Sequence, residues 1–295
     1  MVQGCEVKAP RFSYARPERL DEVFALLAQH GDDARILAGG QSLIPTLNMR
    51  LSQPKLLIDI NRLEALKGIS LEAGVIRVGA LARHVEVMSS PLIARHLPLI
   101  AEAMPHIAHV AVRNRGTFGG SIALADPSAE LPACILALQA DIVVQSARGR
   151  RSIAAEDFFL GLYETARRAD ELLIEVRIPV QRDDTTSVFT ELSRRHGDFA
   201  IAGLACCGRF QQEAVGDVRL VYFGSEIKPR LAARAMAAIN GRRFSAKARE
   251  EACAALAEDL DPIDNIFGKP ATKLHLQRVL TGRALERAME RVRLQ

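Results

Sequence analysis

The chain has 295 residues, 48% of them hydrophobic and 25% charged, with a formal net charge of +4 and no tryptophan. Those proportions belong to a globular protein long enough for two domains, and no apolar run reaches the length needed to cross a bilayer. A mild positive charge without a basic patch, together with an aromatic content of 5%, argues against a nucleic-acid platform. The opening residues, MVQGCEVKAPRFSYARP, lack the basic start and apolar core of a secretory signal, so a cytoplasmic protein is expected.

In chain order, Pro17 begins a run in which Leu20, Val23, Phe24 and Leu27 are helically spaced, with Gly31 where a helix would stop. A short apolar strand, ARIL, then delivers the chain into AGGQSL, Ala38–Leu43, where Ser42 is placed to cap a short helical segment. KLLIDI and GVIRVGAL read as strands. SSPLIARHLPLIAEAMPHIAHVAVRNRG reads as helix broken at Pro98 and Pro105, and leads into RGTFGGSIALADPSAELP. ELPACILALQ is helical in pattern, and ADIVVQS and ELLIEVRIPV are strands with the turn EDFFLG between them.

The charged, hydroxyl-rich linker QRDDTTS separates a first domain, 1–180, from a second, 186–295. The second opens with VFTELSRR, DFAIAGLACCGRF and DVRLVYFGS, a run consistent with an antiparallel meander, and continues as helices, which makes it α+β. In the last helix, Leu276, Val279, Leu280, Ala284, Met289 and Val292 track one face, with Arg278, Arg283, Arg287 and Arg291 off it. Five cysteines, Cys5, Cys134, Cys206, Cys207 and Cys253, show no C-x-x-C. The vicinal pair reads as buried reduced thiols, and the closely spaced thiolates of an iron–sulfur cluster are not supplied.

The two glycine loops carry the chemistry. Each sets two adjacent glycines beside hydroxyl residues, so that successive backbone N–H groups, with Ser42, Thr117 and Ser121, can surround an anion. A pair of such loops suits the two phosphates of a dinucleotide. Neither is a Rossmann or Walker A fingerprint, because G-x-G-x-x-G and Gly-Lys-Ser/Thr are both missing. Asp126 and Glu130 either meet ribose or ribityl hydroxyls or serve the loop and the following helix N-terminus. The histidines show no metal spacing, and G-x-S-x-G is lacking. A bound cofactor that carries redox chemistry fits this set best.

LAGGQSL, then RNRGTFGGSIALADPSAELPA, then RRHGDFAIAG, resembles the FAD-binding subunit of the molybdenum hydroxylases, the xanthine dehydrogenase family that includes the medium subunit of aerobic carbon monoxide dehydrogenase. The resemblance runs over essentially the whole chain. It implies a p-cresol methylhydroxylase-type FAD domain of two α/β subdomains, then a small domain with a three-stranded antiparallel sheet packed by helices. It also implies two partners, a small subunit with two [2Fe–2S] clusters and a large molybdenum–pterin subunit, in a dimer of heterotrimers.

By the same resemblance, Leu37, Ala38, Gly39, Gly40, Gln41, Ser42 and Leu43 would wrap the FAD pyrophosphate with Thr117, Gly119, Gly120 and Ser121. Ile107 and Ala108 would lie near the flavin or its ribityl chain, and Leu124, Asp126 and Glu130 near the ribityl and ribose region. Leu173 would pack on the isoalloxazine and Phe199 would shield it. Two positions depart from the carbon monoxide enzymes, Gln41 in place of histidine and Phe199 in place of tyrosine, and two from the usual family pattern, Phe118 in place of isoleucine or valine and Leu124 where histidine is common. The implied role is electron exit to an external acceptor, with no catalytic side chain of this chain's own. The alternatives are a self-contained flavin oxidase of the same fold and a non-redox nucleotide-binding accessory module.

Overall fold

A computed structural model describes residues 9–211 and 214–294. Cys5 and the first residues of the N-terminus, on which the signal reading rests, lie outside the described residues. Three short strands, Ser13–Ala15, Ala34–Leu37 and Leu56–Asp59, form a parallel sheet with Leu56–Asp59 in the centre. The helix Leu20–His30 joins the two outer strands, Ser13–Ala15 and Ala34–Leu37, burying Val23, Phe24 and Leu27 before Gly31 ends it. Leu56–Asp59 is buried at every position, which is why this segment is continuously apolar up to its final acid.

A second sheet is antiparallel and five-stranded, in the order Ile69–Glu72, Val75–Gly79, Leu172–Pro179, Asp141–Ser146, Gly149–Ala154. The last of these, GRRSIA, carries no alternating apolar pattern, because within it only Ile153 is buried. Between Gly79 and Asp141 the chain makes short helices. Pro91 and Pro98 each start one, and Pro105 sits in a 3-10 turn, so the prolines divide the segment as its sequence implies. The helix Glu130–Ala137 is buried along its full length in the main core.

The C-terminal sheet has four strands, one more than expected. Thr186–Leu192, Ala202–Phe210 and Val215–Phe223 form the antiparallel meander, and the two-residue strand Arg230–Leu231 adds an edge. Two residues carry too little period to be read from sequence. Alternation decides what each face meets. Val188, Leu204, Cys206, Leu220 and Tyr222 pack on the helices Ala233–Ile239, Ala246–Asp259 and Pro270–Arg293. Phe189, Ala205, Cys207, Val221 and Phe223 join the core of the first part. Cys206 and Cys207 therefore face opposite ways, free and buried, and burial pushes both thiols up.

The last helix buries Leu280, Ala284 and Met289 of its apolar face and widens that face with residues the apolar pattern leaves out. Lys273, Gln277 and Thr281 are fully buried along with Leu280, Ala284 and Leu285. Their donors are paired: Lys273 Nζ donates to Ile263 O at 2.9 Å, Gln277 Nε2 to Ser225 Oγ at 2.9 Å, and Thr281 Oγ1 to Gln277 O at 2.7 Å, while Gln277 Oε1 has no partner among the described residues. Arg291 is not solely solvated either. It bonds the Glu102 carboxylate and Ser187 O, tying this helix to the first part of the chain. Among the described residues no helix is long and apolar enough to cross a membrane.

Candidate functional site

One cavity of about 1150 Å³ runs between the parallel sheet, the antiparallel sheet and the C-terminal part. It exceeds the volume typical of drug-sized ligand pockets and is of dinucleotide scale. Every residue singled out from the sequence lines it except Leu37, which faces a smaller neighbouring cavity on the other side of the first glycine loop.

The two glycine loops meet at the middle. Gly39 packs against the backbone of Arg115 and Gly116, and Gly40 takes φ +72°, a conformation that suits glycine. Ser42 stands at the N-cap of the helix Leu43–Asn48, yet its backbone is helical and its hydroxyl makes no cap bond, contrary to the expected capping role. That leaves the hydroxyl for the cavity. The Gln41 amide folds back to Gly39 O at 3.1 Å.

The second loop is less open than a ring of free N–H groups. Phe118 N donates to Ala82 O at 2.9 Å, Gly119 N to Ala80 O at 3.0 Å and Gly120 N to Thr117 Oγ1 at 3.2 Å. These bonds fix the helix Phe118–Leu124 against the antiparallel sheet and consume the donors. The division of labour follows: the first loop presents backbone N–H groups, while the second contributes the hydroxyls of Thr117 and Ser121.

Beneath the second loop His84 is buried, and its Nε2 lies 3.0 Å from Thr117 O. The contact makes Nε2–H the donor, and burial lowers the imidazole to about 4, so the ring is neutral. Its Nδ1 has no partner among the described residues. Asp126 accepts from Ser128 N at 2.9 Å and from the Tyr163 hydroxyl at 3.3 Å, which supports the loop-holding role while one edge still lines the cavity. Burial raises its pKa. Glu130 begins the helix Glu130–Ala137, is 7% exposed, and is raised to about 8 by burial, with Glu191 and Asp126 adding to the effect. It faces the cavity as a neutral carboxyl at neutral pH, able to donate as well as accept.

Leu173, on the strand Leu172–Pro179, and Ile107, Ala108 and Leu124 give an apolar wall. Phe199 is 60% exposed at the mouth. Sequence reasoning missed a stretch contributed by Leu27, Asp32 and Arg35, by Arg167 and Glu171, and by Arg194 and Phe267. Arg167 is recognisable only in three dimensions: it donates to Glu171 O at 2.7 Å, and burial lowers its pKa. Free N–H donors and hydroxyls at the waist, buried acids beside them and an apolar wall beyond are the donor set an FAD needs, so the residues fit that group.

Two family models match the chain. The FAD binding domain in molybdopterin dehydrogenase covers residues 10–181, and the CO dehydrogenase flavoprotein C-terminal domain covers residues 187–288. The 6-hydroxypseudooxynicotine dehydrogenase complex subunit alpha of Paenarthrobacter nicotinovorans is 36% identical over 97% of this chain and 97% of its own. A caffeine dehydrogenase subunit beta of a Pseudomonas strain is 44% identical over 68% of each chain. Among solved structures, a chain of the carbon monoxide dehydrogenase of Hydrogenophaga pseudoflava superposes with a TM-score of 0.94 at 37% identity, covering 96% of this chain and 99% of that one.

Proposed function

Because this chain belongs to the family of FAD-binding medium subunits of the molybdopterin dehydrogenases, we propose that it is the electron exit of a multi-subunit molybdenum hydroxylase. Electrons would arrive from the [2Fe–2S] clusters of a small partner subunit and leave to an external acceptor. Substrate would be oxidised at a molybdenum–pterin centre in a large partner subunit. The substrates named for similar proteins, caffeine, 6-hydroxypseudooxynicotine and glyceraldehyde among them, make an N-heterocyclic or aldehyde-type substrate the reading to test first.

The observation that carries this reading is the convergence of both glycine loops, 76 positions apart in sequence between Gly39 and Arg115, on the waist of one dinucleotide-sized cavity. FAD supplies the redox chemistry when bound. The protein's part is to hold it. In this reading, Gly40, Gln41 and Ser42 offer backbone N–H groups to the pyrophosphate, and Thr117 and Ser121 offer hydroxyls. Asp126 and Glu130 receive the sugar and ribityl hydroxyls, and Leu173, Ile107, Ala108, Leu124 and Phe199 bound the ring. Lining residues from Leu27 to Leu173 build this cradle, and those from Arg194 to Phe267 close it.

The test is the visible spectrum of the chain purified from its native cells with whatever co-elutes. Releasable FAD with iron–sulfur absorbance from accompanying subunits supports the reading. A colourless chain that takes up no added FAD ends it.

A further inference from the structure

The residues beyond Leu173 that line the cavity lie on two loops only. One runs through Arg194, Gly197, Asp198 and Phe199, and the other carries Phe267. The first loop rests on the cradle: Gly197, at φ +85°, sits so close to Ala108 that an added Cβ would come within 2.8 Å of its carbonyl oxygen. The second does not touch the cradle in this way. It is shaped from within by Phe267 N donating to Asn265 Oδ1 at 3.0 Å and by the Lys269–Asp264 pair at 2.7 Å. Lys273 anchors its base through Ile263 O at 2.9 Å.

The two loops are held together by one side chain. The Arg194 guanidinium lies 5.4 Å from the centre of the Phe267 ring, and its Nη2 donates to Ile266 O at 3.0 Å. Arg194 is exposed, and neighbouring Ile266 is 82% exposed. A cation–π contact and one hydrogen bond at such a site are weak enough to break and strong enough to bias the closed arrangement.

We propose that Arg194 and Phe267 form a clasp over the mouth of the cavity, which must part for the dinucleotide to enter or leave. The pair thereby sets how long the cofactor is held. This rests on FAD being the occupant of the cavity. A clasp differs from a binding contact in one respect: its loss speeds entry and exit together, so affinity changes less than either rate.

The test uses the full-length chain, stripped and reloaded with FAD, with association and release followed by flavin fluorescence. Arg194→Met removes the charge but keeps the stem, and Phe267→Leu removes the ring but keeps apolar bulk. Phe267→Leu, which loses only the cation–π contact, is expected to speed both rates about two- to fivefold, and Arg194→Met, which also loses the hydrogen bond to Ile266 O, about fivefold or more. The double variant should be no faster than the faster single, because both break one contact. Arg194→Lys, which keeps a cation over the ring, should fall between. Variants that melt like the parent yet release FAD at the parental rate overturn the clasp while leaving the flavin reading intact. Additive effects, or faster release with unchanged association, also overturn it. A parent chain that binds no FAD overturns both.

Discussion

Gly39 lies flat on the backbone that precedes the second glycine loop: a methyl group on its Cα would fall 2.5 Å from Arg115 O and 2.8 Å from Gly116 Cα. Both obstacles are main chain, so neither can swing aside as a side chain would. The first loop thus reaches its place only because residue 39 has no side chain, and the separation of the two loops across the cavity's waist is set by this contact.

Gly39→Ala should therefore push the loops apart. The expected cost is about 1–3 kcal/mol of stability from overpacking against fixed backbone. FAD affinity should fall by at least about tenfold, since 1.4 kcal/mol is a tenfold change in an equilibrium constant. Thermal unfolding and FAD titration of the same preparation check both.

Thr117 does two jobs with one hydroxyl, accepting from Gly120 N and facing the cavity. Thr117→Val keeps the shape and removes both. A stability loss of ~1 kcal/mol is expected for the missing cap, together with weaker FAD binding. Thr117→Ser should restore the cap and most of the affinity. Equal affinity in the valine and serine variants would rule out a role for the hydroxyl in binding.

Glu130 makes stability fall on the alkaline side. Its carboxyl is raised to about 8 in the folded chain, so between the ordinary carboxylate value and about 8 the folded state holds a proton that the unfolded state has lost. Folding is then weakened as pH rises through that window. Glu130→Gln removes the group that titrates, so its stability relative to the parent should increase from pH 5 to pH 8, measured by urea unfolding of the apoprotein. A difference that does not vary with pH would show that Glu130 ionises freely.

His84 acts with the opposite sign. Its folded value of about 4 lies below that of a free imidazole, so the unfolded state binds the extra proton first as pH falls. Stability contributed by the buried neutral ring is full above about pH 6.5 and is lost down to about pH 4, by up to ~3 kcal/mol. The imidazole resonances followed by NMR should show no titration of this residue above pH 5. His84→Gln, which keeps a donor towards Thr117 O, should flatten this acid limb.

Arg291 joins the last helix to the first part of the chain through Glu102 and Ser187 O. Arg291→Met should lower the melting temperature by several degrees, because Glu102 would keep a half-buried carboxylate without its cation. FAD affinity should change little, as none of the three residues lines the cavity.

Local chemistry was legible in the sequence. Helix Leu20–His30 announced itself through apolar spacing and Gly31, the proline-divided segment through Pro98 and Pro105, and the glycine loops through composition alone. These signals are written within a few residues of where they act, because periodicity and backbone freedom are local properties. The strand Gly149–Ala154 and the edge Arg230–Leu231 left no such trace, since their partners and not their own pattern make them strands. The buried face of the last helix is wider than its apolar residues imply for the same reason: Lys273, Gln277 and Thr281 are paired with Ile263 O, the Ser225 hydroxyl and the Tyr222 hydroxyl.

At the site, the sequence determined which residues could serve a dinucleotide, and tertiary structure decided what each has left to offer. Only the fold shows that Phe118, Gly119 and Gly120 spend their N–H groups on Ala82, Ala80 and Thr117, and that the Ser42 hydroxyl makes no cap bond. Only the fold brings Arg194 to Phe267 and buries Glu130 beside Glu191 and Asp126. A residue's type fixes the bonds it can make; its distance from other groups fixes the bonds it does make, and folding alone sets that distance.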